Sequence, residues 1–428
     1  MIAARRLRTS AIVALATIFA VLAGCGTGAT RPVARSSGGA ATRPVARSSG
    51  EAAEIPVAVH AGEGLAIGLL QRLGEDDGNV VFSPYSIETA LSMVDSGAAG
   101  STAAEIDHVL HTTRPAAVAT GLAAIDARLT AVSGAPDSPR LHLANSLWVQ
   151  TGLPLERPFT STLASLFGAA PQLVDFKGAP DSARQTINSW VAAHTAHLIT
   201  NLFPAGTITA QTAAVLANAI YLSAHWADPF IRGQTAPAPF YTAAGPTVQV
   251  PFMTQTPVVV SYARRGTYQA IDLPYLHSTL SMLLVMPTPG TLPNFERRLS
   301  TESLARLERG LSPVRVDLHV PRFHLSFDTE LNSVLSELGM PVAFTDDADF
   351  SGITTHKRLK ISAVEHAADL RVDEQGTVAA AATGIAIEPT AIAPEPATRF
   401  TLDHPFLVFL RDDATGAVLF VAQVSDPA

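Results

Sequence analysis

The sequence predicts a mixed α/β fold of the multi-domain α+β type, carried by one large globular unit over residues 55–428. Three observations lead there. Helical periodicity and strand-like apolar runs are interleaved along the chain rather than segregated. No second linker interrupts them after residue 54. Hydrophobic residues make up 47% of the chain against 15% charged, which suits an extensive buried core and excludes a disordered polymer.

The first element, residues 1–24, has the form of a secretory signal peptide. Arg5, Arg6 and Arg8 make a positive start, residues 11–22 form an apolar run too short to span a bilayer comfortably, and Leu22-Ala23-Gly24-Cys25 closes it. Cys25 is the only cysteine, so an internal disulfide or a cysteine-based metal cluster is excluded and the thiol needs another use. Its position resembles a lipoprotein lipobox. That resemblance implies cleavage before Cys25, a diacylglyceryl group on its thiol and an acyl chain such as palmitate on the new amine. Several acyl chains anchor a protein stably where a single one does not. The expected location is therefore the cell envelope, lipid-anchored and facing outside the cytoplasm. The next element, residues 25–54, carries one decapeptide twice, at 29–38 and 41–50; rich in Pro, Ser, Gly and Arg, it reads as a flexible tether.

Within residues 55–428, helices are predicted over 87–93, 103–110 and 187–199. Apolar runs at 213–222, 280–286 and 406–410 suit buried strands, and Asp412-Asp-Ala-Thr-Gly416 reads as a hairpin turn. A net charge of −8 without a basic stripe excludes nucleic acid as a partner. There is no Gly-x-Ser-x-Gly elbow, no His-Glu-x-x-His and no phosphate-cradling glycine loop, so no catalytic residue and no enzymatic activity are expected. His194 and His197 lie three apart on a predicted helix with no third ligand evident nearby, and neither a metal nor any other cofactor is expected.

A run of motifs then resembles the serpin family in the family's own order. It begins with Asn79-Val-Val-Phe-Ser-Pro-Tyr-Ser-Ile87 and continues through Leu143-Ala144-Asn145, Val174-Asp175-Phe176, Ile187-Asn188 and Leu216-Ala217-Asn218-Ala219-Ile220-Tyr221 to Trp226. Further on stand Leu273-Pro274-Tyr275, Val320-Pro321-Arg322-Phe323, Ala348-Asp349-Phe350-Ser351-Gly352, Asp373-Glu374-Gln375-Gly376-Thr377 and Asp403-His404-Pro405-Phe406. The resemblance implies a serpin fold with three β-sheets, about eight or nine helices and an exposed reactive-centre loop. It implies, too, a monomeric suicide inhibitor: a serine protease cuts the loop, is held as a covalent acyl-enzyme, and is carried along as the loop enters the main sheet.

Whether the loop is able to insert is a question of chemistry. The hinge residues Glu374, Gly376, Thr377, Ala379, Ala380, Ala381, Ala382 and Thr383 lead into it. By the period of two, Thr377, Ala379, Ala381 and Thr383 share one face, and Val378, Ala380, Ala382 and Gly384 the other; all are small or β-branched. No proline lies between Gln375 and Glu388, so every amide there can join a ladder. An inserted strand of about 14 residues spans ~45 Å at ~3.3 Å per residue, enough to move a bound protease across the domain.

Counting from the hinge puts the reactive bond at Thr390-Ala391; counting back from Phe400 allows positions up to Pro394, with Ile392-Ala393 between. Residues 387–393 contain no Lys or Arg, so the preference expected is for an elastase-like or subtilisin-like protease. The same resemblance gathers Ser83, Ser86, Asn218 and His366 into a buried hydrogen-bonded shutter beneath the point where the sheet opens, and packs Trp226 at the breach where the loop first enters. A non-inhibitory binding or carrier serpin, and an envelope lipoprotein enzyme or solute-binding protein, are the alternatives; the hinge separates the first reading from these.

Overall fold

The computed structural model describes residues 49–75, 78–132, 138–243, 245–377 and 397–428. Cys25, the hinge residues Ala379, Ala380, Ala381, Ala382 and Thr383, and the reactive-bond residues Thr390, Ala391, Ile392 and Ala393 lie outside the described residues. The chain opens with α1 (Ser49–Ala52), α2 (Ile55–Leu73), β1 (Val80–Phe82), α3 (Pro84–Asp95), α4 (Gly100–Val109) and α5 (Pro115–Val132). It continues through β2 (Arg140–Gln150), α6 (Arg157–Leu166), β3 (Gln172–Val174), α7 (Pro180–His194), β4 (Ala214–His225), β5 (Ala236–Tyr241), β6 (Thr247–Arg265), β7 (Tyr268–Pro274) and β8 (Leu280–Pro287). Then follow α8 (Leu292–Arg297), α9 (Thr301–Arg309), β9 (Ser312–Pro321), β10 (Phe323–Glu330), α10 (Asn332–Leu338), β11 (Ala363–Asp373), β12 (Gly376–Thr377), β13 (Thr398–Thr401), β14 (Phe406–Asp412) and β15 (Ala417–Val424).

The mixed fold is as the sequence predicts, with ten α-helices among the described residues, the first a four-residue turn, and two short 3-10 turns at Arg232–Gln234 and Val342–Phe344. Hydrogen bonding defines two sheets rather than three. One has six strands in the order β10-β11-β12-β4-β2-β3, and the other has nine along β1-β15-β14-β8-β7-β6-β9-β13 with β5 added beside β6. The count drops because β6 is continuous: its first part pairs with β5, its second with β7, and its register to β9 shifts between Gln255 and Val258. A single long strand thus joins two sheets into one ladder.

β4, a central strand of the six-stranded sheet, is buried on both faces, so it reads as a largely apolar run rather than an alternating one. Its odd positions Val215, Ala217 and Ala219 pack with Ile187 and Val191 of α7, while Leu216 and Ile220 join the cores on the opposite side. The helix predicted over 187–199 stops at His194. There the chain turns left-handed at Ala196 and His197, and the Thr195 hydroxyl donates back to the Val191 carbonyl.

On the other face, β1 leads directly into α3. Pro84 stands in the first turn and the Ser83 hydroxyl caps the helix by accepting from Ser86 N–H at 3.1 Å. This capped turn is fully buried, and it sets Ser83 and Ser86 among the residues of β2, β4 and β11.

Candidate functional site

The site is a parting between two strands. β11 and β4 lie side by side and parallel from Ala363 opposite Val215 up to Asp369 opposite Tyr221. Beyond that pair they separate and β12 occupies the gap, antiparallel to both: Thr377 faces Val372 on one side and Ala224 on the other, and Gly376 faces Asp373 and His225. The first two residues of the predicted insertion segment are therefore already ladder residues. Gly376 is required there. Its φ is +152°, and a Cβ would stand 2.0 Å from the Ala224 carbonyl oxygen.

Several groups hold the parting in shape. Trp226, buried as the sequence predicts, donates its backbone N–H to the Gln375 carbonyl at 2.9 Å and its indole N–H to the Asp373 carbonyl at 3.0 Å. Its ring stacks on Tyr275 with centroids 4.6 Å apart, and the Tyr275 hydroxyl bonds the Thr377 hydroxyl at 2.5 Å. Burial pushes the Tyr275 phenol far above its ordinary range. Glu374, with a side chain only 3% exposed, accepts from Thr235 at 2.7 Å and pairs with Arg322. Burial would raise the Glu374 carboxyl; the hydrogen bonds from Thr235 and Arg322 outweigh it and leave the group below the ordinary carboxylate range.

Below the gap, where β11 and β4 are paired directly, lies the predicted polar cluster, and the structure brings all four of its residues together. Ser83 N–H donates to His366 Nε2 at 3.1 Å, which places the ring proton on Nδ1, from where it is donated to Asn218 Oδ1. Asn218 Nδ2 donates to Asn145 Oδ1 at 2.8 Å, and the Ser86 hydroxyl donates to the same oxygen at 2.6 Å. His366 and Asn218 stand opposite each other in the β11–β4 ladder, and Asn218 stands opposite Asn145 in β2. Complete burial pushes the His366 ring down to about 3, so it is neutral at any physiological pH.

This arrangement is mechanical. Both ring nitrogens of His366 are engaged, one by a backbone amide and one by a carboxamide, so no serine hydroxyl is presented to an imidazole base. What the cluster does is tie β11 to β4, and through Asn145 to β2 and α3. Sequence reasoning omitted Asn145, Tyr275 and Arg322, although each lies within a motif that carries the resemblance. Thr235 has no sequence signal at all.

Comparison with known proteins agrees with this geometry. The model of the serpin (serine protease inhibitor) family matches residues 60–427. A serpin-like protein of Thermococcus kodakarensis is 34% identical over 361 residues, spanning 84% of this chain and 83% of its own. The leukocyte elastase inhibitor of Bos taurus is 34% identical over 372 residues, 85% of this chain and 97% of its own. The crystal structure of uncleaved ovalbumin superposes with a TM-score of 0.77 at 26% identity, covering 86% of this chain and all of that one. The mixed two-sheet fold, with β12 between β11 and β4 above a buried histidine tie, and the family match over most of the chain define its class. The chain belongs to the serpin family.

Proposed function

We propose that this protein is an inhibitory serpin, a one-use suicide inhibitor of an extracytoplasmic serine protease, held to a membrane through lipid on Cys25. The observation that carries the reading is the register of β12. Continued along the loop on insertion, it would set Ala380 between Asp369 and Tyr221, and Thr383 between His366 and Asn218. Residues opposite one another in a ladder share a face. Insertion would part the His366–Asn218 hydrogen bond, and the Thr383 hydroxyl, which both donates and accepts, would stand where it can bridge the two groups.

The chemistry belongs to the target. Its nucleophile attacks the carbonyl of Thr390, the amine of Ala391 leaves, and an ester joins the two proteins. The cut frees the loop to run down the gap. Each ladder bond stabilises by only ~0.5–1.5 kcal/mol against ~1–2 kcal/mol for ordering a residue, so strain released elsewhere must drive the movement. With Thr, Ile and Ala and no cation near the reactive bond, the target has a shallow apolar pocket, elastase-like or subtilisin-like.

The test is incubation with elastase-like, subtilisin-like and trypsin-like proteases followed by denaturing electrophoresis. A covalent complex with the first or second supports the reading. Cleavage that leaves the protease free and active, with no gain in heat resistance of the cut protein, overturns it and favours a binding serpin. Anchoring is tested separately: Cys25→Ala should release the protein from the membrane fraction and abolish incorporation of radiolabelled palmitate.

A further inference from the structure

We infer that the cleft between α8, α9 and the adjoining ends of β7 and β8 is a binding site for a small amphipathic anion, a carboxylate on a compact apolar body. The cleft is half open and has a volume of about 440 Å³, within the ~300–1,000 Å³ of ordinary small-molecule sites. It lies apart from every residue of the hinge and shutter described above. Leu299 and Leu307 line it, both almost fully buried, and Tyr268 and Phe295 meet there edge to face with ring centroids 5.8 Å apart. These four side chains form an apolar surface open to solvent on one side.

The polar part of the lining has one sign. Arg298 and Arg306 both line the cleft and no carboxylate does, in a chain whose net charge is −8. Among the described residues Arg298 has no ion-pair partner, whereas Arg306 is held at 2.6 Å by Glu302, one turn back on α9 and outside the cleft. Two guanidinium groups beside an apolar surface suit a ligand with a charged head and an apolar body, because Arg offers paired donors to a carboxylate while the rings and leucines take the remainder. A neutral ligand would gain less from the arginines, since only a carboxylate takes their paired, charge-assisted donors. A polyanion would leave its excess charge against leucine and phenylalanine.

The experiment is isothermal titration of the intact protein with naphthalene-1-carboxylate, with decanoate, and with the uncharged naphthalene-1-methanol. One equivalent of either carboxylate should bind with a dissociation constant below about 100 µM, at least tenfold more tightly than the alcohol. Arg298→Glu, an exposed change, should weaken binding by about ten- to hundredfold with the urea midpoint unchanged. Asn294→Trp, at the exposed rim, should block it. Glu302→Ala should tighten it severalfold by releasing Arg306, a result that a purely structural role for these arginines does not produce. Equal binding of the alcohol, an unchanged affinity in Arg298→Glu, or the absence of binding by either carboxylate below millimolar concentration overturns the assignment. None of these readings involves a protease, so their failure is distinct from failure of the inhibitory reading.

Discussion

Lowering the pH should loosen the tie between β11 and β4, and the effect can be sized from His366. Its neutral ring is required, since Nε2 accepts from Ser83 and cannot do so once protonated. Burial holds its folded value at about 3, against an ordinary 6.5. A base whose folded value is depressed contributes stability that is complete above about pH 6.5 and is lost as the pH falls toward 3, because only the unfolded chain takes up the proton. At 1.36 kcal/mol per unit, moving from pH 6.5 to 5.0 removes about 2 kcal/mol.

The opposite sign applies to Glu63, Asp95 and Glu365, each raised to about 7, mainly by burial. Their contributions are present at low pH and lost as the pH rises through 7, so they mask His366 in the wild-type curve. The measurement is therefore a difference: urea unfolding of wild type and His366→Gln at 25 °C, followed by circular dichroism from pH 7.5 to 5.0. The stability gap should be constant above pH 7 and shrink by about 2 kcal/mol by pH 5.0. A gap that does not change with pH refutes the depressed ring and the closed tautomer chain with it.

Four further outcomes follow from single contacts. Glu88 is buried in α3 with Oε1 lacking any partner and its carboxyl pushed well above the ordinary range by burial, so Glu88→Met should raise stability by about 1–3 kcal/mol and flatten the loss on going from pH 5 to 8, checked by urea midpoints. Arg322→Ala leaves the Glu374 carboxylate buried with Thr235 alone; because Arg322 is itself 43% exposed, the cost should be about 1–2 kcal/mol, read from the same midpoints. Gly376→Ala places a Cβ against the Ala224 carbonyl, so β12 should leave the gap and Trp226 fluorescence should shift toward that of a wetter indole; an unchanged spectrum counts against the described pairing. Asn218→Ala removes the β4 side of the tie, and under the proposed inhibitory mechanism loop insertion after cleavage should accelerate by about tenfold or more in stopped-flow tryptophan fluorescence, the equivalent of ~1.4 kcal/mol off its barrier.

Much of this fold is legible in the sequence because its strands are written as apolar runs. The predicted strands at 280–286 and 406–410 fall within β8 and β14, that at 213–222 overlaps β4 from Ala214 onward, and the turn at 412–416 closes on Gly416 at φ +88°. Of the predicted hinge, Glu374, Gly376 and Thr377 lie among the described residues, with Gly376 and Thr377 in the ladder between β11 and β4. What stays hidden is pairing across long separations. Glu374 meets Arg322 and Thr235 from 52 and 139 residues away, and nothing local to either partner announces it. Asn145 illustrates a second limit, since its role follows from standing opposite Asn218 in register, and register is a tertiary fact. The placement of Gly376 and Thr377 inside the sheet, rather than ahead of it, is hidden too, because small residues suit both positions equally.

The order of contacts along the gap constrains how any further insertion proceeds. β12 already parts the strands at Ala224 and Val372, so opening can advance only downward, through Asp369–Tyr221, Ala368–Ile220 and Ala367–Ala219, before it reaches His366–Asn218. The first three pairs below the wedge include two flanked by alanine, where little side-chain packing opposes separation. The fourth is the buried hydrogen-bonded tie, whose groups cannot be left without partners in a dry interior except at ~1–3 kcal/mol each. Resistance to opening is thus concentrated at the fourth pair beyond the wedge, where a residue able to donate and accept is needed at the moment of separation. An alanine in place of Thr383 would arrive at that point with nothing to offer, whereas in place of Ala379 or Ala381 it is the natural residue. Were the loop to enter in the register that β12 starts, the single hydroxyl between Thr377 and the loop's prolines would come opposite the one tie it could replace.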